Sequence, residues 1–263
     1  MSPQPRVIVV GLGPGGADHV TDETRHLLDG SRPTFLRTHR HPTATLARSP
    51  TSFDDVYDAA EDLDDVYRSI AEQLVIAAVA EGEVVYAVPG SPLVLERSVQ
   101  YLRRRDDIEV DLRPAVSFLD LCWARLGIDP VEESVRLVDG HVFADAAAGE
   151  RGPLLVAHTH ATWVLSDLKL AVDAGPEQTA VVLQGLGTED EAMFEVPWPE
   201  LDRSFEPDHL TSLYLPTVAA PVGQELVRSV ELMKRLRAEC PWDAEQDHAS
   251  LRRHLLEETH EVL

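Results

Sequence analysis

The sequence predicts an α/β protein whose N-terminal half builds a parallel sheet, with a mixed α+β lobe behind it. Three observations carry this. Aliphatic runs alternate with helical patterns over the first ~125 residues, which is the signature of strand–helix–strand units. Three of those runs break off at Gly- or Pro-rich turns. Beyond residue 126 helices become sparser and prolines more frequent, which suits mixed pairing.

Taken in order, residues 7–10 are an aliphatic strand ending in a Gly-rich turn. A helix with Leu27 and Leu28 follows, with Thr21 or Asp22 placed to cap it. Residues 34–38 read as a second strand and 39–50 as a loop. The acidic stretch 54–65 leads into a helix through Ile70, Leu74 and Ala78, spaced to bury one face. Residues 83–88 form the next strand, stopped by Pro89-Gly90-Ser91-Pro92. A helix through Leu95, Val99 and Leu102 precedes a strand at 108–112, a loop at 113–117 and a helix at 118–126. In the second half, strands are expected at 153–158, 179–184 and 210–215, with a helix at 161–174. Residues 216–221 read as a linker, 222–239 as an amphipathic helix, and 240–263 as a turn and a second helix.

Charge narrows the function. Against 23 Lys+Arg stand 46 Asp+Glu, a formal net charge of -23. Such a surface repels a phosphate backbone, so nonspecific nucleic-acid binding is excluded as an expectation. A small anionic ligand held by backbone N–H groups remains compatible. The two cysteines, Cys122 and Cys240, are expected as reduced thiols of a cytoplasmic protein. The N-terminal apolar run is too short for a signal peptide, and no stretch reaches membrane-spanning length.

Three turns are candidate ligand loops. In Gly11-Leu12-Gly13-Pro14-Gly15-Gly16, glycines permit positive φ and close approach of backbone to a ligand. Pro14 and the lack of an acidic residue after a second strand fit the dinucleotide fingerprint badly, and a plain strand-to-helix turn explains the run equally well. Pro89–Pro92 and Pro114-Ala115-Val116-Ser117 also follow predicted parallel strands and precede helices. Loops at the carboxyl ends of such strands line the ligand crevice of open α/β sheets.

Together these residues resemble the tetrapyrrole (corrin/porphyrin) methylase family, whose members carry a GxGPGD-like loop, a GDP-like loop and a PGxS-like loop. The resemblance covers roughly residues 6–215 and includes Gly187-Thr188, similar to the family's later GT segment. It implies a two-lobed class III S-adenosylmethionine methyltransferase-like fold, with lobes at about 1–126 and 127–216. It also implies S-adenosylmethionine near Pro89, Gly90, Ser91, Pro92, Ser117, Gly187 and Thr188, with Gly11, Gly13, Pro14 and Gly15 on the side of a tetrapyrrole-like acceptor. The chain departs from the pattern at Gly16 and Ser91, where the family has Asp, and at Ala115, where it has Gly. No catalytic residue follows from the match. The departures leave open an inert regulatory or dimerisation module instead of a methyltransferase. Segments 36–42, 86–90 and 209–215 resemble the family branch fused to MazG.

Residues 217–263 carry that second resemblance. Cys240-Pro-Trp-Asp243, Gln246, His248 and Ser250-Leu251 resemble the start of a MazG nucleoside triphosphate pyrophosphohydrolase, and Glu257, Glu258 and Glu261 match its EExxE motif. Residues three and four apart share a helix face, so these carboxylates can converge on one Mg²⁺. The family completes the site with a later ExxD, absent before Leu263. The sequence is therefore expected to be part of a longer protein, without pyrophosphohydrolase activity of its own, and both families imply a homodimer. Trp242 can stack on a base, although a core or interface position is the plainer expectation.

His39, His41, His158 and His160 are candidate metal ligands, and His158-x-His160 on a strand would place both rings on one face. With no cysteine or second pair at zinc-like spacing, ordinary polar histidines are the expectation.

Overall fold

A computed structural model describes residues 4–59, 62–172, 174–175, 177–218, 222 and 224–262. The chain divides into two compact units, residues 1–133 with 183–193, and residues 134–182 with 194–263.

The first unit holds a sheet of order β3-β2-β4-β1-β5: β1 (Arg6–Gly11), β2 (Thr34–Leu36), β3 (Thr51–Ser52), β4 (Glu83–Val88) and β5 (Glu109–Leu112). All its pairings are parallel, with Val9 opposite Tyr86 and Leu112. A parallel sheet is buried on both faces, and the central strands are accordingly aliphatic throughout. Val7, Val9, Val84, Tyr86 and Val88 face a core with α3 (Leu63–Glu81) and α4 (Arg97–Leu102). Ile8, Val10, Val85 and Ala87 face the opposite core with Leu28 of α1 (Asp22–Leu28) and Ala44.

Local chemistry sets the helix ends. Thr21 caps α1 by accepting from Thr24 N at 3.2 Å. Asp62 caps α3, which buries Val66, Ile70, Leu74 and Ala78 and ends at Gly82 with φ 85°. The acidic stretch before it forms a separate helix, α2 (Asp54–Ala59); residues 60 and 61 lie outside the described set. Ser117 and Asp120 form a reciprocal capping box on α5 (Phe118–Leu126), and Gly127 closes that helix at φ 67°.

One expectation fails here. Leu95 is not in α4 but precedes it with φ 57°, a left-handed conformation costly for a side chain with a Cβ. That turn points Glu96 inward, where its carboxylate, 1% exposed, bonds Arg37 at 2.8 Å and accepts from Ser98 Oγ at 2.6 Å. Ser98 in turn meets the buried Tyr86 hydroxyl at 2.9 Å, and Arg37 Nε donates to Tyr57 at 2.8 Å. Burial opposes the Arg37 charge, but Glu96 and Tyr57 outweigh it and raise the guanidinium pKa. Burial pushes the Tyr57 phenol up to about 12.

The second sheet has order β6-β7-β10-β8-β9, from β6 (Arg136–Asp139), β7 (Leu154–Ala157), β8 (Thr179–Gln184), β9 (Ala192–Pro197) and β10 (Thr211–Leu215). β6 runs parallel to β7 and β10 antiparallel to it, the mixed pairing the prolines suggested. Its core gathers Leu154, Val156, Val182, Leu213 and Leu215 with Phe143 of α6 (Phe143–Ala146), and Val164, Leu165 and Leu168 of α7 (Thr162–Ala171). β6 and β9 were not expected: three of the four β6 residues are not buried, and β9 alternates along a sheet edge, so neither shows an aliphatic run.

The last segment consists of α8 (Gln224–Glu239), α9 (Pro241–Glu245) and α10 (His248–Val262). The expected linker lies partly outside the described residues (219–221), as does Leu263. No helix among the described residues is long and apolar enough to cross a membrane. Cys122 and Cys240 are both free thiols; burial pushes Cys122 up to about 12, which makes it a poor nucleophile.

Glu96→Gln leaves Arg37 without its counter-charge in a largely buried setting. It is expected to lower unfolding free energy by about 2–4 kcal/mol, measured as a fall in urea midpoint at unchanged slope.

Candidate functional site

The three candidate ligand loops meet within the first unit. β1 and β4 are adjacent parallel strands, so their carboxyl ends emerge side by side, and Leu12 N donates to Val88 O at 2.8 Å as they do. Beyond the strands the loops bond directly: Gly90 N donates to Gly13 O at 2.9 Å and Gly13 N to Gly90 O at 3.2 Å. Both residues have positive φ, 72° and 64°, a conformation glycine adopts without steric cost.

Gly11 is required for a different reason. A Cβ there would overlap the Gly90 carbonyl oxygen and the Ala115 Cβ, and would stand 3.1 Å from Pro92 Cδ. Gly11, Gly90, Pro92 and Ala115 thus occupy one junction at the ends of β1, β4 and β5. The methyl of Ala115 is accommodated because Gly11 has none. Around Gly90 the space is open, with nothing within 4 Å of a Cβ position.

Gly187 and Thr188 join the same assembly. Gly16 N donates to Gly187 O at 3.0 Å, and a Cβ on Gly15 would overlap that carbonyl. The turn is held by Thr188, whose hydroxyl donates to Gly185 O at 2.7 Å, and by Glu191, which accepts from Gly187 N at 2.8 Å. Glu191 is itself held by Arg125, which together with the Gly187 N–H keeps its pKa below the usual carboxylate value.

The structure therefore brings Gly11, Gly13, Gly15, Gly90, Pro92 and Gly187 into direct backbone proximity. Pro14 is buried within its loop, and Pro89 and Ser91 flank Gly90 half-exposed. Ser117 sits two residues past Ala115, and its hydroxyl accepts from Leu119 N at 3.1 Å as the α5 cap, leaving its proton to donate elsewhere.

Sequence reasoning missed the supports. Thr43 Oγ1 donates to Leu12 O at 3.0 Å and lies 2.9 Å from His41 Nδ1. Burial lowers the His41 pKa against a Gly13 backbone hydrogen bond. His19 packs against both Gly13 and Gly187, and its buried Nδ1 has no hydrogen-bond partner. Thr43 and His19 have no local sequence signal, because each acts across a loop junction; His41, a candidate metal ligand in the sequence, instead meets Thr43 two residues on.

Of the candidate metal ligands, His39 contributes its backbone N–H to Asp54 Oδ2 at 2.8 Å. His158 is not on a strand: β7 ends at Ala157, and His158 turns with φ 59°, so it does not share a strand face with His160. Its partners are Asp139 and His141 instead.

Glu257, Glu258 and Glu261 lie exposed on α10, and Glu257 is engaged by Arg253 at 2.8 Å, which lowers its pKa. Trp242 is half-exposed and meets the His254 ring edge-on at 5.6 Å; it is not a core residue.

The family model for Tetrapyrrole (Corrin/Porphyrin) Methylases matches residues 6–202. YabN of Bacillus subtilis, itself an uncharacterized protein, is 32% identical over 98% of this chain, which spans 55% of that relative's length. Over 48 residues, 17% of the chain and 15% of the relative, identity to the nucleoside triphosphate pyrophosphohydrolase of Mycolicibacterium smegmatis reaches 54%. In fold, the chain resembles uroporphyrin-III C-methyl transferase from Thermus thermophilus, solved with S-adenyl homocysteine. The TM-score is 0.59 at 20% identity, over 85% of this chain and 99% of that one.

Gly11→Ala is expected to cost about 3 kcal/mol because backbone must move to admit the methyl. Gly90→Ala, strained only in φ, is expected to cost about 1 kcal/mol. Thermal unfolding of the two variants separates steric from torsional demand.

Proposed function

The chain belongs to the tetrapyrrole (corrin/porphyrin) methylase family, and from that premise we propose that its first 216 residues bind S-adenosylmethionine and carry methyltransferase chemistry toward a small tetrapyrrole-like acceptor. The observation that carries the reading is the Gly13–Gly90 backbone exchange, which gathers the carboxyl-end loops at one edge of a parallel sheet, the usual ligand position in such sheets. The open space at Gly90 fits a ligand pressed against main chain. On this reading Pro89, Gly90, Ser91, Pro92, Ser117, Gly187 and Thr188 hold the cofactor, and the loop of Gly11, Gly13, Pro14 and Gly15 lies on the acceptor side.

When bound, the cofactor supplies an electrophilic methyl group on a sulfonium. The chain's own contribution is positional: rigid glycine-lined backbone fixes the line of approach, and such alignment supplies much of the acceleration in two-substrate displacement. A second reading, an inert regulatory or dimerisation module, is favoured by Gly16 and Ser91, where family members carry carboxylates.

Titration calorimetry with S-adenosylhomocysteine tests binding. Heat is expected for the wild type, with affinity reduced about tenfold or more in Gly90→Ala, the loss of about 1.4 kcal/mol of contact. No heat at millimolar ligand overturns the reading. Binding without transfer to any tetrapyrrole selects the inert module.

For the tail, the reading is one half of a magnesium site in a nucleoside triphosphate pyrophosphohydrolase. Its support is the short, high-identity match to such an enzyme and a donor set made entirely of carboxylate oxygen, which suits a hard cation. On this reading Glu257, Glu258 and Glu261 would hold the magnesium, which would supply positive charge for phosphate chemistry. In the protein that carries this segment, Glu258→Gln is expected to abolish Mg²⁺-dependent release of pyrophosphate from nucleoside triphosphates. Retained release would refute the assignment.

A further inference from the structure

The geometry points to a binding site for one divalent transition-metal ion of the zinc class, formed by Asp139, His141 and His158 in the second unit. A ligand atom from each lies within 4.8 Å of the other two. The fold delivers them from adjacent positions. β6 and β7 are parallel neighbours with Asp139 opposite Ala157, so the carboxylate ending one strand faces His158, the residue following the other. His141 arrives from the short turn Gly140–Val142, which Asp139 itself caps by accepting from His141 N at 3.0 Å. This leaves the carboxylate fixed in orientation.

Two features of His158 go beyond ordinary polar packing. Its backbone has φ 59°, unfavourable for a residue with a Cβ, and this turn places the ring beside Asp139. Its Nδ1 is buried and stands 3.1 Å from Asp139 Oδ1. A buried ring nitrogen and a carboxylate oxygen at adjacent strand ends put two donors within reach of one shared cation. The His141 ring stacks on His158 at 5.2 Å and 20° and on Trp163 at 5.7 Å and 11°. His160 stands edge-on to His141 at 5.1 Å, outside the close set.

Two imidazoles and one carboxylate are donors of intermediate hardness. They suit Zn²⁺, Co²⁺ or Ni²⁺ over Mg²⁺, and leave one or more positions for water or an external ligand.

The test uses the whole 263-residue chain, stripped with chelator and titrated with Zn²⁺ by calorimetry and with Co²⁺ by visible absorption. One equivalent per chain is expected, with a rise in melting temperature on adding Zn²⁺. His141→Ala and His158→Asn are each expected to weaken binding by well over tenfold and to abolish the rise; asparagine keeps the left-handed backbone available. His141 is exposed, so its variant carries the test if position 158 proves essential for folding. Glu257→Gln/Glu258→Gln/Glu261→Gln, which removes the tail carboxylates, should leave the one-equivalent site intact. Absence of binding, or a site unchanged in folded His141→Ala, overturns the inference.

Discussion

The first unit depends on an absence: no side chain at position 11. β1 and β4 run side by side in the sheet, so the chains leaving them start close together, and the loops stay in contact only if the last residue of β1 occupies no space beyond its backbone. Gly11 meets that condition, and with it the Gly90 carbonyl, Pro92 and the Ala115 methyl close around one point. The Gly13–Gly90 hydrogen bonds follow from this approach. So does the position of Gly15, pressed just as tightly on Gly187. Loops packed backbone to backbone in this way have little conformational freedom, and their arrangement is set by the sheet behind them.

That sheet is supported on one side by buried charge. Glu96 reaches Arg37 only because Leu95 takes up a left-handed turn, and the hydroxyls of Ser98, Tyr86 and Tyr57 complete the hydrogen bonding of the pair. A buried ion pair contributes little net stability over apolar packing, but it tolerates few alternative arrangements. Arg37 follows β2 and Glu96 follows the Pro89–Pro92 loop, so the pair links a strand end to the segment leading away from a candidate ligand loop.

Much of the fold was legible because it is written in local pattern. The strand at 83–88 and the helix at 118–126 have sharp ends, fixed by Pro89 and Gly82 in one case and by Ser117, Asp120 and Gly127 in the other. The elements missed were short, or edge-placed and half-polar: β3 has two residues, β6 buries one of four, and β9 alternates. Of the site, the glycines and prolines were visible as turn signals, because their conformational role depends on the residue itself. His19, Thr43, Glu191 and Arg125 were not, since each acquires its role from a contact across the fold. The His158–His160 pairing misled because alternation on a strand was assumed where the strand had already ended.

The departures at Gly16 and Ser91 bear differently on binding and on turnover. On the proposed reading, loops joined through Gly11, Gly13, Gly90 and Gly187 offer a ligand main-chain atoms and van der Waals surface, and these persist whatever side chains stand at 16 and 91. Loss of two carboxylates also removes negative charge from loops in a chain already at -23, where a positively charged sulfonium would gain from them. What carboxylates supply and backbone cannot is a proton acceptor. On the proposed reading, an acceptor that must lose a proton to accept a methyl would need a base from elsewhere. Two imidazoles stand at these loops: half-buried His41, whose pKa burial lowers, and His19, which packs against Gly13 and Gly187. His41 Nδ1 is engaged by Thr43, so on the proposed reading the loops hold a ligand through main chain, and proton removal falls to a ring nitrogen outside that contact.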